Sequence, residues 1–334
     1  MPRPISDPAS GRSATAREQV NAKARKLVLG VWDALERRAA RAFVAGPELA
    51  DALALVEERR QRSMAAAVCF WDDGQQPPKR VYVRCQAAQR VLSDQRDCYL
   101  SLKPPALGFD ADLVAELAAN GPLHFDSLEI ESQHRSLALA ERLMSSNPVI
   151  GLTLPGRWRR SVEDADRAAE MAARVRVVKG EWPDPSDPGR DPRAGFLEVI
   201  DRLVRCARRP MHGPASPRQR RSPTVAVATH DSRLARESLS RLAAAGVPAE
   251  LEVLHGHAAG RAVGVARRFG VLIRHYVPYG HPWLPWSLAE VRVRPWLLPR
   301  IAWAALKPQP AARSHTAPGR ARGLPTGAYR SPTR

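Results

Sequence analysis

Apolar residues along this chain gather in eight short, β-prone runs: 65–70, 98–103, 123–126, 149–154, 175–179, 225–229, 251–254 and 273–277. Most are apolar on consecutive positions, as expected of parallel strands covered on both faces. Between them, residues 110–119, 136–145, 162–173, 196–207, 232–245 and 260–269 space their apolar residues as amphipathic helices do. Alternating β and α units imply a parallel sheet. Eight units over roughly 240 residues predict an α/β fold, a (β/α)₈ TIM-like barrel. The alternative is a doubly wound open sheet, which would usually carry a G-x-G-x-x-G turn after an early strand; none is present. Residues 18–62 read as N-terminal helices preceding a barrel over 63–306.

Composition adds boundaries to this picture. The net charge of +18 in 334 residues suggests nucleic acid as a partner until its location is mapped. Residues 1–30, 207–221 and 307–334 together hold +15 of it, in stretches rich in Pro, Ser, Gly and Ala. Such composition predicts a disordered basic N-terminus over 1–17, a basic loop at 208–223 and a disordered tail over 307–334. No nucleic-acid motif or aromatic platform accompanies the charge, so no specific nucleic-acid partner is expected. Cys69, Cys85, Cys98 and Cys206 show no C-x-x-C pairing and no accompanying His cluster. A metal site and a disulfide framework are therefore not expected, and a reducing cytoplasm fits best. The N-terminus has no apolar secretory core. No run approaches the ~20 apolar residues of a membrane span.

Chemistry in such a barrel sits at the C-terminal ends of the strands, and polar residues cluster there. They are Lys103, Asp126, Arg176 with Lys179, Thr229 with His230, Glu252, and Tyr276. Each has a bland reading: a solvated cation for Lys103, a helix cap for Asp126, a loop histidine for His230. Glu252 interrupts an apolar run and should face a polar interior or a partner. Arg176, Lys179, Thr229 and His230 offer hydrogen-bond donors for phosphates and ring oxygens.

Seven segments in order carry a resemblance: LSLKPPALGFD (100–110), FDSLEIESQHRSLAL (125–139), PGRWRRSVEDA (155–165), VRVVKGEW (175–182), ATHD (228–231), LEVLHG (251–256) and YVPYG (276–280). Together they resemble the proline dehydrogenases, flavin enzymes with a circularly shifted (β/α)₈ barrel whose last helix covers the substrate. The resemblance implies FAD as cofactor and hydride transfer from C5 of L-proline to flavin N5, giving 1-pyrroline-5-carboxylate. It also implies a quinone as electron acceptor, which would bring the protein to the periphery of the inner membrane. By position, Lys103, Asp126 and Tyr276 would stand on the substrate side. Arg176, Lys179, Thr229, His230 and Glu252 would face the cofactor. In the last helix the family usually has a Tyr followed three and four residues later by two Arg that clamp the substrate carboxylate. Here those positions are Trp286, Ala289 and Glu290, with Arg292 one turn beyond Ala289. Two readings follow: a proline dehydrogenase or relative acting on another cyclic amine, and a pseudoenzyme that has lost the clamp.

Overall fold

The computed structural model describes residues 30, 41–72, 74, 76–95, 97–145, 149–208 and 224–281. The expected disordered N-terminus and basic tail, the basic loop beyond Arg208, and Trp286, Ala289, Glu290 and Arg292, lie outside the described residues. Eight strands alternate with helices: α1 (Leu49–Arg60), β1 (Ala65–Trp71), α2 (Pro78–Leu92), β2 (Cys98–Leu102), α3 (Ala111–Ala119), β3 (Leu123–Phe125), α4 (Ile130–Met144), β4 (Ile150–Pro155), α5 (Ser161–Glu170), β5 (Arg174–Val178), α6 (Pro192–Ala207), β6 (Val225–Ala228), α7 (Ser232–Ala244), β7 (Ala249–Leu254), α8 (Gly260–Phe269) and β8 (Leu272–Gly280). All neighbours pair in parallel, and β8 pairs with β1 from Ala65↔Arg274 to Trp71↔Gly280, closing the barrel. The predicted (β/α)₈ barrel is therefore the observed fold.

The packing of the two strand faces differs from the expectation. Outward residues such as Val68, Leu100, Phe125, Leu152, Val177, Val227 and Leu251 meet the apolar stripes of the helices in one continuous core. On α2 that stripe is Val81, Cys85, Ala88 and Leu92; on α6 it is Phe196, Val199, Ile200 and Leu203. Full burial of such side chains contributes roughly 1.5–3 kcal/mol each. The lumen, which bulky branched residues usually fill, holds instead Tyr99, Ser101, His124, Thr153, Arg174, Arg176, Glu250, Glu252 and Arg274. Some of their hydrogen bonds and ion pairs span strands that are not neighbours, as from Arg176 on β5 to Tyr99 on β2 and from Arg174 on β5 to Glu250 on β7; others, such as Arg274 on β8 to Glu250 on β7, join adjacent strands. Most strands thus alternate apolar-out and polar-in, whereas β1 and β6 turn Ala67 and Ala226 to the same face.

Ends of elements bring specific groups to the upper face. Asp231 caps α7 by accepting from the backbone N–H groups of Arg233 and Leu234. The segment before α1 runs along the end of β8, with Ala45 N–H donating to Pro278 O (2.8 Å) and Gly280 N–H to Gly46 O (2.9 Å). This places Phe43 over His257, with ring centroids 4.6 Å apart. Gly156, just after β4, lies so close to Gly195 at the start of α6 that a Cβ on Gly195 would stand 1.9 Å from Gly156 O. No helix among the described residues is long and apolar enough to cross a membrane.

His275 supplies a pH test of the outer packing. Burial first, and then the charge of Arg59 on α1, lower its pKa from 6.5 to about 4. The unfolded chain therefore takes up a proton between those values while the barrel does not. Stability is full above about pH 6.5 and falls as the pH drops toward 4, by up to about 3 kcal/mol. His275→Phe should remove that share of the acid loss, read from urea unfolding at pH 7 and pH 4.5. An unchanged difference between the two pH values would show that His275 contributes none of it.

Candidate active site

A cavity of about 440 Å³ opens at the C-terminal ends of the strands. Asp126, Arg176, Glu252 and Tyr276 line it together with Thr153, and Lys179 and His230 stand on its wall. Trp71, Leu128, Val178, Leu254 and Ala228 supply its apolar surface. A smaller cavity of about 190 Å³ adjoins it and shares the Trp71, Leu128 and Val178 walls. Lys103 lines this second space along with Trp158 and Trp182.

Arg176 is the centre of the arrangement. It is 4% exposed. Its Nη1 donates to Asp126 Oδ1, and its Nη2 donates to the Tyr99 hydroxyl at 3.2 Å. Ser101 Oγ accepts from both at 3.3 Å. Glu252 Oε1 stands 2.8 Å from Arg176 Nε, but the two atoms are not aligned for a hydrogen bond. The contact is therefore a charge pair, with direction coming from Asp126, Tyr99 and Ser101. Burial works against the guanidinium's charge. Glu252 and Asp126 outweigh it, so Arg176 holds its proton more firmly than a free arginine.

Asp126 collects donors from four strands. Ser101 Oγ (2.7 Å) and Arg176 reach Oδ1; Tyr276 OH (2.5 Å) and Cys69 Sγ (3.6 Å) reach Oδ2. The cap role considered for it goes unused, since α4 begins after Glu129. Burial, then the Asp126 charge, push the Tyr276 phenol well above its usual pKa, so it remains a donor. The Tyr276 oxygen also accepts from Trp71 Nε1 at 3.4 Å. Trp71 in turn carries the Lys103 ammonium 5.3 Å from its ring centroid. A continuous chain of contacts thus joins Lys103, Trp71, Tyr276, Asp126 and Arg176.

The remaining expected residues are placed as follows. Glu252 faces the polar lumen, where its Oε2 accepts from Tyr99 OH at 3.0 Å. Lys179 pairs with Asp231 at 3.7 Å. His230 Nε2 accepts the Leu254 N–H at 3.0 Å and its ring stacks on His257 at 4.6 Å. Thr229 is buried, its hydroxyl accepting the Asp231 N–H at 3.2 Å, and it does not line the cavity.

Beneath this layer lies a second set of charges that sequence reasoning did not single out. Arg274 grips Glu250 with two parallel hydrogen bonds (2.9 and 3.0 Å), and Arg174 Nη1 adds a third at 2.7 Å. Across both layers, Arg174, Arg176 and Arg274 balance Asp126, Glu250 and Glu252. His124 is neutral: burial, then the nearby Arg176, Arg174 and Arg274 charges, hold its pKa well below 6.5. Its Nε2 lies 3.0 Å from Thr153 Oγ1, and Gly151 leaves room for its ring. Trp71, Tyr99 and Ser101 complete the missed residues. The signal for the lumen residues was the two-residue strand period. Stepping two positions inward from Arg176, Glu252 and Tyr276 gives Arg174, Glu250 and Arg274.

No family model matches the chain. Two curated proteins do, both named Proline dehydrogenase 1. The one from Bacillus subtilis subsp. natto is 23% identical over 279 residues, covering 78% of this chain and 88% of its own. The one from Bacillus subtilis strain 168 is 22% identical over the same length and coverage. Among solved structures, proline utilization A (PutA) from Bdellovibrio bacteriovorus, inactivated by N-propargylglycine, superposes with a TM-score of 0.61 at 16% identity over 80% of this chain. PutA from Corynebacterium freiburgense gives 0.58 at 17% identity over 86%. The match covers 32% and 33% of those two PutA chains, so this chain spans about a third of their length, and their likeness speaks for the fold alone. Taken with the order of the strand-end segments, the sequence matches show that this chain is similar, at low identity, to the proline dehydrogenases.

Proposed function

We propose that the protein is a flavin-dependent oxidoreductase that oxidises a small cyclic secondary amine, with L-proline going to 1-pyrroline-5-carboxylate as the leading reaction. The observation that supports this best is the Tyr276–Asp126–Arg176 cluster at the floor of the larger cavity. It joins residues expected on the substrate side to one expected at the cofactor. The cavity's size falls within the 300–1,000 Å³ usual for ligand sites. Its donor set suits FAD: a planar ring needs apolar walls with donors at its edge, and the phosphates need cations. Trp71, Val178 and Leu254 offer the first, Arg176 and His230 the second, and Lys179 the third. A bound flavin supplies the two-electron acceptor for the hydride that leaves substrate C5. The chain's own part is positional and electrostatic. Arg176 fixes the Asp126 carboxylate, Tyr276 is held between Asp126 and Trp71, and the lumen beneath excludes bulk water. Lys103 stands in the adjoining cavity as a cation next to the substrate side. A quinone as electron acceptor, and contact with a membrane surface to reach it, are part of the same proposal.

The replacement of the arginine pair by Ala289 and Glu290 favours a second reading, in which the substrate is a cyclic amine without a carboxylate. Losing two charge-assisted contacts weakens carboxylate binding by about 10²–10⁴-fold, and a glutamate repels that group. Anaerobic bleaching of the flavin-loaded protein separates the cases. Bleaching by millimolar proline supports the leading reaction, whereas bleaching by pyrrolidine alone supports the second. No bleaching by either, in a protein that carries flavin, would overturn both.

A further inference from the structure

We propose that Tyr99, which lines neither of the two cavities described above, is a positioning residue for the site, because its hydroxyl holds the Arg176 guanidinium against Asp126. Tyr99 projects from β2 into the lumen below the cavity and is 4% exposed. It meets all three lumen arginines. The guanidinium carbons of Arg274 and Arg174 lie 4.5 and 4.9 Å from its ring centroid, and Arg176 Nη2 donates to its oxygen at 3.2 Å. The same hydroxyl donates to Glu252 Oε2 at 3.0 Å. His124 stacks on the ring at 5.5 Å.

A phenylalanine would fill this space and keep both cation–π contacts, so packing does not call for the oxygen. The polar bonds do. Glu252 Oε2 takes no other hydrogen bond among the described residues, and Glu252 Oε1 is close to Arg176 Nε but misaligned with it. Without the hydroxyl, Arg176 Nη2 keeps only Ser101 at 3.3 Å, and Glu252 is left with a buried, unsatisfied oxygen beside a mobile cation. A buried carboxylate in that state draws the nearest donor toward itself. Arg176 would turn toward Glu252 and away from Asp126, and Tyr276 would lose a fixed partner. Burial, then the Glu252 charge, raise the Tyr99 pKa, so the hydroxyl stays protonated and keeps both roles.

The test uses the full chain and needs no flavin. Hydrogen exchange at arginine Nη–H groups, followed by ¹⁵N NMR, compares wild type with Tyr99→Phe. Arg176 should exchange about tenfold faster, the loss of one bond to a charged group. Arg274 should be unchanged, because its bonds go to Glu250, Ala66 O and Asp97 O. Equal acceleration at both arginines would mean general loosening and overturn the proposal. No change at Arg176 would also overturn it, as would failure of the variant to fold with its ring packing preserved. The consequence for turnover rests on the function proposed above: kcat should fall about tenfold with KM unchanged. A flavin that no amine reduces would contradict that function while leaving the arginine result standing.

Discussion

Glu250→Ala should destabilise the barrel by about 3–5 kcal/mol, the cost of breaking a buried ion pair from one side. Glu250 and Arg274 are each 3% exposed in their side chains, and Arg174 leans on the same carboxylate oxygen as Arg274. Removing the acid strands two cations in the lower lumen with only backbone carbonyls and the Tyr99 ring for company. Chemical denaturation at neutral pH measures the loss, and a change below about 1 kcal/mol would show that water or rearrangement satisfies the arginines. Replacing Glu250 with Leu and Arg274 with Met together should cost less than Glu250→Ala alone, since apolar side chains of similar volume often serve as well as a buried pair. The carboxyl also gives an acid signature. Burial opposes its ionisation, but Arg274 and Arg174 prevail and lower its pKa below 4.5. Its contribution is therefore present above about pH 4.5 and lost as the pH falls through the folded-state value.

Asp126→Asn should lower the rate of anaerobic flavin reduction by about 10²-fold or more, the range found when one preorganised electrostatic contact is removed from a site. The amide keeps the shape of the side chain but removes the charge that Arg176 and Tyr276 converge on. Arg176 retains Glu252, so stability should fall less than in Glu250→Ala. A stopped-flow rate within threefold of wild type would remove Asp126 from the chemistry and leave it a purely structural partner of Arg176.

The barrel was legible in the chain because eight apolar runs, each near its observed strand, alternate with helical patterns. Strand ends such as HFD and RVVKG also put Asp126 and Arg176 in one layer, where they prove to be bonded. Helix α2 was missed: PKRVYVRCQAAQRVL is rich in β-branched and aromatic residues in its first half, which blurs the 3.6-residue period. The start of α4 was placed six residues late because its first turn, IESQHR, is polar. The polar lumen was harder to read for a different reason. Short strands such as RVRVV and AELEVL contain enough Val and Leu to look continuous, and only closure of the barrel shows that Arg174 and Glu250 point at each other. Tyr99 was invisible as a functional candidate, since nothing local distinguishes a tyrosine that bridges two charges from one that fills space.

The placement of the charges has a consequence for ionic strength. The most buried lumen pairs, Arg176–Glu252 and Arg274–Glu250, are screened far less than exposed ones, so added salt should hardly weaken them. The rim is another matter. There Lys179, Asp231, Arg193, Glu237 and Arg241 form a half-exposed chain of ion pairs from the cavity wall across α6 and α7. Salt at several hundred millimolar screens contacts of that kind. The same protein therefore carries two electrostatic systems: a floor indifferent to the medium, and a rim around Lys179 that responds to it.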